Sequence, residues 1–255
     1  MTWTITTHKK ISCSRPICIE GLPGVGNVGK IVVDFILDQF DVTKLATFSS
    51  PYLPNSVFVT PTGVQLPLIE IYHVTIAKKD VLLVAGDAQP TNEKASYELT
   101  ESILEFIKNY GCKSCVALGG IGLPSIPKNP RVFAVSNDIN ALQELIQYDV
   151  QPNAFGIVGP IVGVSGLLLG LSQKHNISSL TLLGETCNHP THIGFGEAKK
   201  ILHIINSYFS LQIDESSFDK ELNQLQTSLQ DEPEKFVSKQ KQAKKITHFD
   251  LSYIG

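Results

Sequence analysis

The chain has 255 residues, of which 42% are hydrophobic and 18% charged, a balance that supports a substantial buried core and excludes disordered and fibrous classes. The net charge of −3, with no long basic stripe before the last fifteen residues, argues against nucleic acid or an anionic membrane as a partner. The five cysteines (Cys13, Cys18, Cys112, Cys115, Cys187) are odd in number, in a chain large enough to fold without staples, and nothing at the amino terminus reads as a signal peptide. A reducing cytoplasm is expected.

In chain order, Pro16 to Glu20 is a short apolar strand that runs into the glycine-rich turn Gly21 to Gly29, and helical spacing follows from Lys30 to Phe40 through Ile31, Phe35 and Ile36. Leu45 to Phe48 reads as the next strand. A Pro-rich bend then leads to a meander of short strands at Val57–Thr60, Gly63–Leu66 and Leu68–Ile76. Val81 to Ala85 is uniformly apolar, as in strands covered on both faces, and it ends at Gly86-Asp87-Ala88-Gln89-Pro90. A helix is expected over Lys94 to Tyr110 with Thr91 as its N-cap. The remaining elements are a strand at Ser114–Leu118 ending in Gly119-Gly120-Ile121-Gly122, a strand at Val132–Val135, a helix from Asp138 to Tyr148, a strand at Ser179–Leu183, a loop from Gly184 to Gly194 and a helix from Phe195 to Phe209. This alternation predicts an α/β fold with a mainly parallel sheet sandwiched by helices.

Ala154 to Leu171 runs 18 residues without a charge, near the lower limit for a membrane-spanning helix, but five glycines and Pro160 interrupt it. It is read as a loop followed by a buried helix, and no membrane association is expected. Past residue 211 the composition turns polar, with Phe218, Leu222, Leu225 and Leu229 in helical spacing, and apolar residues return in the last ten positions. The organisation expected is an α/β domain over 1–211, a helical appendage over 212–245 and an interaction tail over 246–255.

Several clusters suggest chemistry. Gly24, Gly26 and Gly29 spell G-x-G-x-x-G, and Gly24 to Lys30 spells G-x-x-x-x-G-K. The first template needs an acidic residue at the end of the second strand, where Phe48-Ser49-Ser50 stands. The second needs Ser or Thr after the lysine, where Ile31 stands. What survives is anion binding at the helix N-terminus by Gly24, Gly26, Asn27, Gly29 and Lys30, beside the alternative that the glycines serve packing. Asp87 and Gln89 follow a buried strand, where open α/β sheets hold ligands, and Glu185 follows another, so the three are candidates for one ligand crevice. Cys187, His189 and His192 offer soft metal ligands, but their spacing matches no common zinc module and no fourth ligand stands out. Cys112-Lys113-Ser114-Cys115 is a C-x-x-C that follows a helix instead of opening one, which argues against thioredoxin-like redox work.

The glycine turn Gly21 to Gly29, the Gly86-Asp87-x-Gln89-Pro90 turn, Gly119-Gly120-Ile121-Gly122, the Gly163 to Leu171 glycine-leucine segment and Leu182-Leu183-Gly184-Glu185-Thr186 together, in this order, resemble the archaeal branch of the proteasome assembly chaperone family over about residues 12 to 210. The closing Asp250 to Gly255 resembles the end of the subgroup called proteasome-assembling chaperone homolog A. The resemblance implies a non-enzymatic protein without a cofactor, a phosphorylase- or hydrolase-like α/β sandwich, homo-oligomers such as pentameric rings, and docking through the C-terminal segment. Similar sequences have been described as ATP-grasp-like, but no clustered magnesium carboxylates or paired phosphate-binding lysines are recognisable here.

In this resemblance Phe249, Leu251, Tyr253, Ile254 and Gly255 carry partner binding, to proteasome α subunits or to an adaptor. Relatives that engage the proteasome directly end in hydrophobic-Tyr-X, whereas two residues follow Tyr253, which displaces the terminal carboxylate by about 3.3 Å. The competing expectation is a nucleotide- or nucleoside-binding enzyme of phosphorylase or ligase type built on the strand-end loops.

Overall fold

A computed structural model describes residues 2–60, 63–152, 156 and 159–220. The chain forms β1 (Thr4–Thr7), β2 (Ile17–Glu20), a 3-10 turn (Val25–Asn27), α1 (Val28–Gln39), β3 (Thr43–Ser49), β4 (Phe58–Thr60), β5 (Gly63–Gln65), β6 (Ile69–Ile76) and β7 (Lys79–Gly86). It continues with α2 (Glu93–Asn109), β8 (Ser114–Leu123), β9 (Val132–Ser136), α3 (Ile139–Leu145), β10 (Val150–Gln151), α4 (Val164–Leu171), β11 (Ser178–Cys187) and α5 (Phe195–Phe209).

Nine strands make one sheet in the order β1-β3-β6-β7-β2-β8-β11-β9-β10, while β4 and β5 pair as a separate hairpin. Its centre, β7-β2-β8-β11, is parallel. The β1-β3-β6-β7 wing is antiparallel, and β9 runs antiparallel to β11. These wings follow from connection length. A tight hairpin joins β6 to β7, whereas α2 carries the chain from β7 over to β8. The β6-β7 turn places both Ala77 (φ 48) and Lys78 (φ 65) in the left-handed region, as a two-residue hairpin with right-handed strand twist requires.

The sheet divides the core in two. One face buries Val32, Val33 and Ile36 of α1 against Ile201, Leu202 and Ile205 of α5, and the other buries Leu99 and Ile103 of α2 with Leu168 of α4. Val81, Leu82, Leu83 and Val84 are all buried, which explains why β7 shows no alternation in sequence. The expected α/β sandwich is therefore observed.

The details differ in several places. β11 extends through Glu185, Thr186 and Cys187, so the expected loop at Gly184 to Gly194 begins as strand, and β8 likewise continues to Leu123. The two stay in register to their ends, Cys187 opposite Leu123, because their glycines weaken a strand without breaking its ladder. β1 was not expected, since Thr4–Thr7 is exposed along its whole length and carries no apolar pattern. The α2 N-cap is Asn92, whose side chain accepts from the Ala95 N–H at 2.9 Å, and Thr91 instead donates its hydroxyl to the Tyr52 carbonyl.

The core also continues past the expected boundary at residue 211. Ile213 and Phe218 are buried, and Phe218 meets Phe35 edge-on with ring centroids 5.0 Å apart. Residues 215–220 are helical, so the first turns of the appendage lie on the α1 face of the body. The rest of the appendage and the tail residues Phe249, Leu251, Tyr253, Ile254 and Gly255 lie outside the described residues. Among the described residues no helix is long and apolar enough to cross a membrane.

Candidate functional site

From β2 the chain moves outward to β3 and β6, returns at β7, and then crosses β2 to reach β8. The connections therefore diverge at the carboxyl ends of β2 and β8, where open α/β sheets bind ligands. A crevice of about 320 Å³ occupies this point. Gly24 and Val25 of the first turn, Gln89 after β7, Gly120 of β8, and Ile161 and Ser165 beside and within α4 contribute to its walls.

The glycine turn is shaped by packing. Gly26 has φ 65, and a Cβ there would lie 2.6 Å from Thr186 Oγ1. A Cβ on Gly29 would fall 2.2 Å from the Leu118 carbonyl oxygen, so α1 rests its first turn directly on the β8 backbone. Gly24 is different, with nothing within 4 Å of its Cβ position and an extended backbone. Asn27 enters the helix in the left-handed region (φ 51) and makes no side-chain cap. Lys30 does not line the crevice: its ammonium pairs with Asp34 at 2.8 Å and donates to the Gly86 carbonyl at 3.3 Å. The geometry thus removes Lys30 from the expected anion set.

Of the expected crevice residues, only Gln89 lines the cavity. It donates from Nε2 to the Pro23 carbonyl (2.7 Å) and accepts at Oε1 from the Val164 N–H (3.0 Å), clamping the glycine turn to the start of α4. Asp87 is spent on its own loop, where Oδ2 accepts from the Leu68 N–H at 2.9 Å while its own N–H donates to the Leu68 carbonyl. Glu185 lies elsewhere, paired in bidentate fashion with Arg131, whose guanidinium holds the carboxyl below the usual carboxylate range. The three do not form one site.

A carboxylate that the sequence reading left inside its strand sits closer. Glu20, the last residue of β2, is fully buried, with Oε1 accepting from the Leu22 N–H (3.0 Å) and Oε2 from the hydroxyl of Ser165 (2.9 Å). Burial pushes its carboxyl up to about 7, against the two hydrogen bonds, which favour the charged form. A charge closing an apolar strand just before a glycine turn was the available signal. Chemically, the crevice offers main-chain groups, an amide that is already engaged, and one hydroxyl backed by a buried acid.

The other motifs disperse. His189 pairs with Thr191, and His192 with Glu197 at 3.3 Å, so Cys187, His189 and His192 are not gathered around one point. Cys112 and Cys115 are both buried, and burial pushes the Cys112 thiol up to about 12, away from the thiolate that redox work requires. Among the described residues, one trio of metal-capable side chains converges, Cys13, His73 and Asp80, at the opposite end of the sheet.

A family model described as the PAC2 family matches residues 18–232. The chain belongs to the PAC2 family. Two uncharacterised proteins of Methanocaldococcus jannaschii are similar over nearly their whole length: one is 25% identical across 94% of this chain and 92% of its own, the other 27% across 92% and 93%. Among solved structures, Pyrococcus furiosus PbaB, described as an archaeal proteasome activator, superposes with a TM-score of 0.79 at 27% identity, covering 90% of this PAC2 chain and 98% of PbaB. Pyrococcus furiosus PbaA, described as an archaeal homolog of proteasome-assembly chaperone, superposes with a TM-score of 0.72 at 21% identity, covering 89% and 94%. The fold of this PAC2 chain is thus shared with PbaB over 90% of its length.

Proposed function

We propose that this PAC2 protein is a non-enzymatic, proteasome assembly chaperone-like scaffold of the cytoplasm, which homo-oligomerises and captures partners through its C-terminal segment. The observation that carries the reading is the near full-length likeness to PbaB. The strand-end crevice supports it, because glycines there bring main chain against main chain and the polar side chains of its wall are already engaged, Gln89 with the Pro23 and Val164 main chain and Ser165 with Glu20. The partners are proteasome α subunits or an adaptor. A short aromatic tail, Phe249, Leu251, Tyr253, Ile254 and Gly255, repeated around a ring, turns weak single contacts into stable capture through high effective concentration.

The test is an affinity pull-down from native cytosol with the full chain and with a variant lacking residues 249–255, together with mass measurement of the intact assembly. Capture by the full chain, its loss on truncation and an unchanged oligomer mass support the proposal. Equal capture by both forms removes the tail's role, and a monomeric mass removes the ring. One observation favours a second reading, a small-molecule binder: Glu20 is a buried acid directly behind the Ser165 hydroxyl of the crevice. Titration calorimetry with phosphate, nucleosides and Mg-ATP separates the two, since saturable heat requires the binder.

A further inference from the structure

At the amino ends of β2 and β7, three side chains from three segments meet. Cys13 lies in the loop before β2, His73 in β6 and Asp80 in β7, and one ligand atom of each lies within 4.8 Å of the other two. His73 Nε2 is 2.8 Å from Asp80 Oδ1. The other carboxylate oxygen, Oδ2, accepts from the Ser14 N–H at 2.7 Å, and the Thr75 hydroxyl donates to Oδ1 at 3.4 Å, so the carboxylate is aimed by its neighbours. We propose that Cys13, His73 and Asp80 form a binding site for a borderline-soft divalent cation of the zinc class.

The fold fixes the pieces independently. The left-handed turn at Ala77 and Lys78 sets the β6-β7 register, with Thr75 opposite Asp80 and His73 opposite Leu82. This brings His73 and Asp80 together across the hairpin. The pairing of Ile17 with Val81 then delivers the loop carrying Cys13. Zinc bonds of about 2.3 Å to sulfur and 2.0 Å to nitrogen or oxygen separate tetrahedral ligand atoms by about 3.3–3.6 Å, and the trio's ligand atoms lie within 4.8 Å of one another.

Sulfur, nitrogen and oxygen donors together suit zinc better than the oxygen-seeking magnesium or calcium. A thiolate and a carboxylate balance the double charge of the ion. With His73 and Asp80 side chains 15% and 19% exposed, water reaches the fourth coordination position. The hydrogen bond from Ser14 to Asp80 is the outer support that metal-ligating carboxylates typically have.

The test uses the full chain, stripped with chelator, reduced, and titrated with Co²⁺. The expected result is one equivalent of cobalt with a thiolate-to-cobalt charge-transfer band that Zn²⁺ abolishes. Cys13→Ser removes the band, His73→Ala and Asp80→Asn weaken binding by more than about tenfold, and Cys187→Ser leaves it intact. Circular dichroism of each variant without metal, matched to the parent, separates ligand loss from misfolding. Absence of the band in the folded parent protein, or its persistence in folded Cys13→Ser, overturns the proposal.

Discussion

At the carboxyl ends of β2 and β8 main chain packs on main chain, whereas at the amino ends of β2 and β7 side chains face one another. The first end carries the glycine motifs that stand out in the sequence: the G-x-G-x-x-G turn, the Gly119 to Gly122 strand end, and the segment before α4. Yet Gly29 sits on the Leu118 carbonyl and Gln89 ties Pro23 to Val164. The second end carries no glycine motif, and there Cys13, His73 and Asp80 converge. The comparison teaches that glycine at strand ends reports how closely elements approach, and that ligand chemistry depends on which side chains the approach leaves free.

The strongest way to break this comparison is to put a side chain where main chains touch. Gly29→Val forces β-carbon and methyl groups into the Leu118 carbonyl, so α1 must lift from β8, where neither flexible side chain nor solvent can give way. The expected cost is more than about 3 kcal/mol, at the upper end of overpacking penalties. Urea denaturation against the parent measures it. A variant as stable as the parent would mean that the turn is not built for packing.

A smaller effect concerns Glu20, the buried acid that closes β2. The Glu20 carboxyl is raised from 4.5 to about 7 by burial, so the folded state holds its proton more tightly than the unfolded chain does. Its contribution to stability is fully present below pH 4.5 and is lost as pH rises through 7. The parent's stability should therefore fall relative to Glu20→Gln by roughly 3 kcal/mol across that window, and stay level above it. Parallel difference curves for the two proteins across the same range would show that Glu20 stays ionised, and hence that water or a ligand reaches it from the crevice.

How much of this was legible follows the reach of each signal. The apolar run Val81 to Ala85 and the helical spacing from Leu99 to Ile107 are local patterns, and β7 and α2 formed where these predict. β1 was missed because four exposed residues carry no burial pattern, and β8 and β11 were cut short because glycine was read as a stop. Glu185 was assigned to the crevice on the strength of standing after a strand, but it is inside β11 and faces Arg131. The Cys13, His73 and Asp80 cluster was not legible at all. Sixty residues separate Cys13 from His73, and only the pairing of β2 with β7 closes that gap. Phe218 was read as the start of an appendage stripe, and its partner Phe35 lies in a helix almost two hundred residues earlier.

The smallest expected effect is the sharpest probe of the glycine turn. Gly24 shares the motif with Gly26 and Gly29, but its extended backbone suits any residue and no atom lies within 4 Å of its Cβ position. If the motif exists for packing, Gly24→Ala is neutral or stabilising by less than about 0.5 kcal/mol, since alanine lowers the entropy of the unfolded chain without strain. If the turn instead cradles an anion with its main chain, the added methyl at the crevice wall blocks close approach and leaves folding untouched. Phosphate titration of the parent and Gly24→Ala, read by calorimetry beside denaturation curves, distinguishes the two. Silent titrations with equal stability leave the turn to packing, whereas phosphate heat in the parent that Gly24→Ala abolishes makes Gly24 a binding residue.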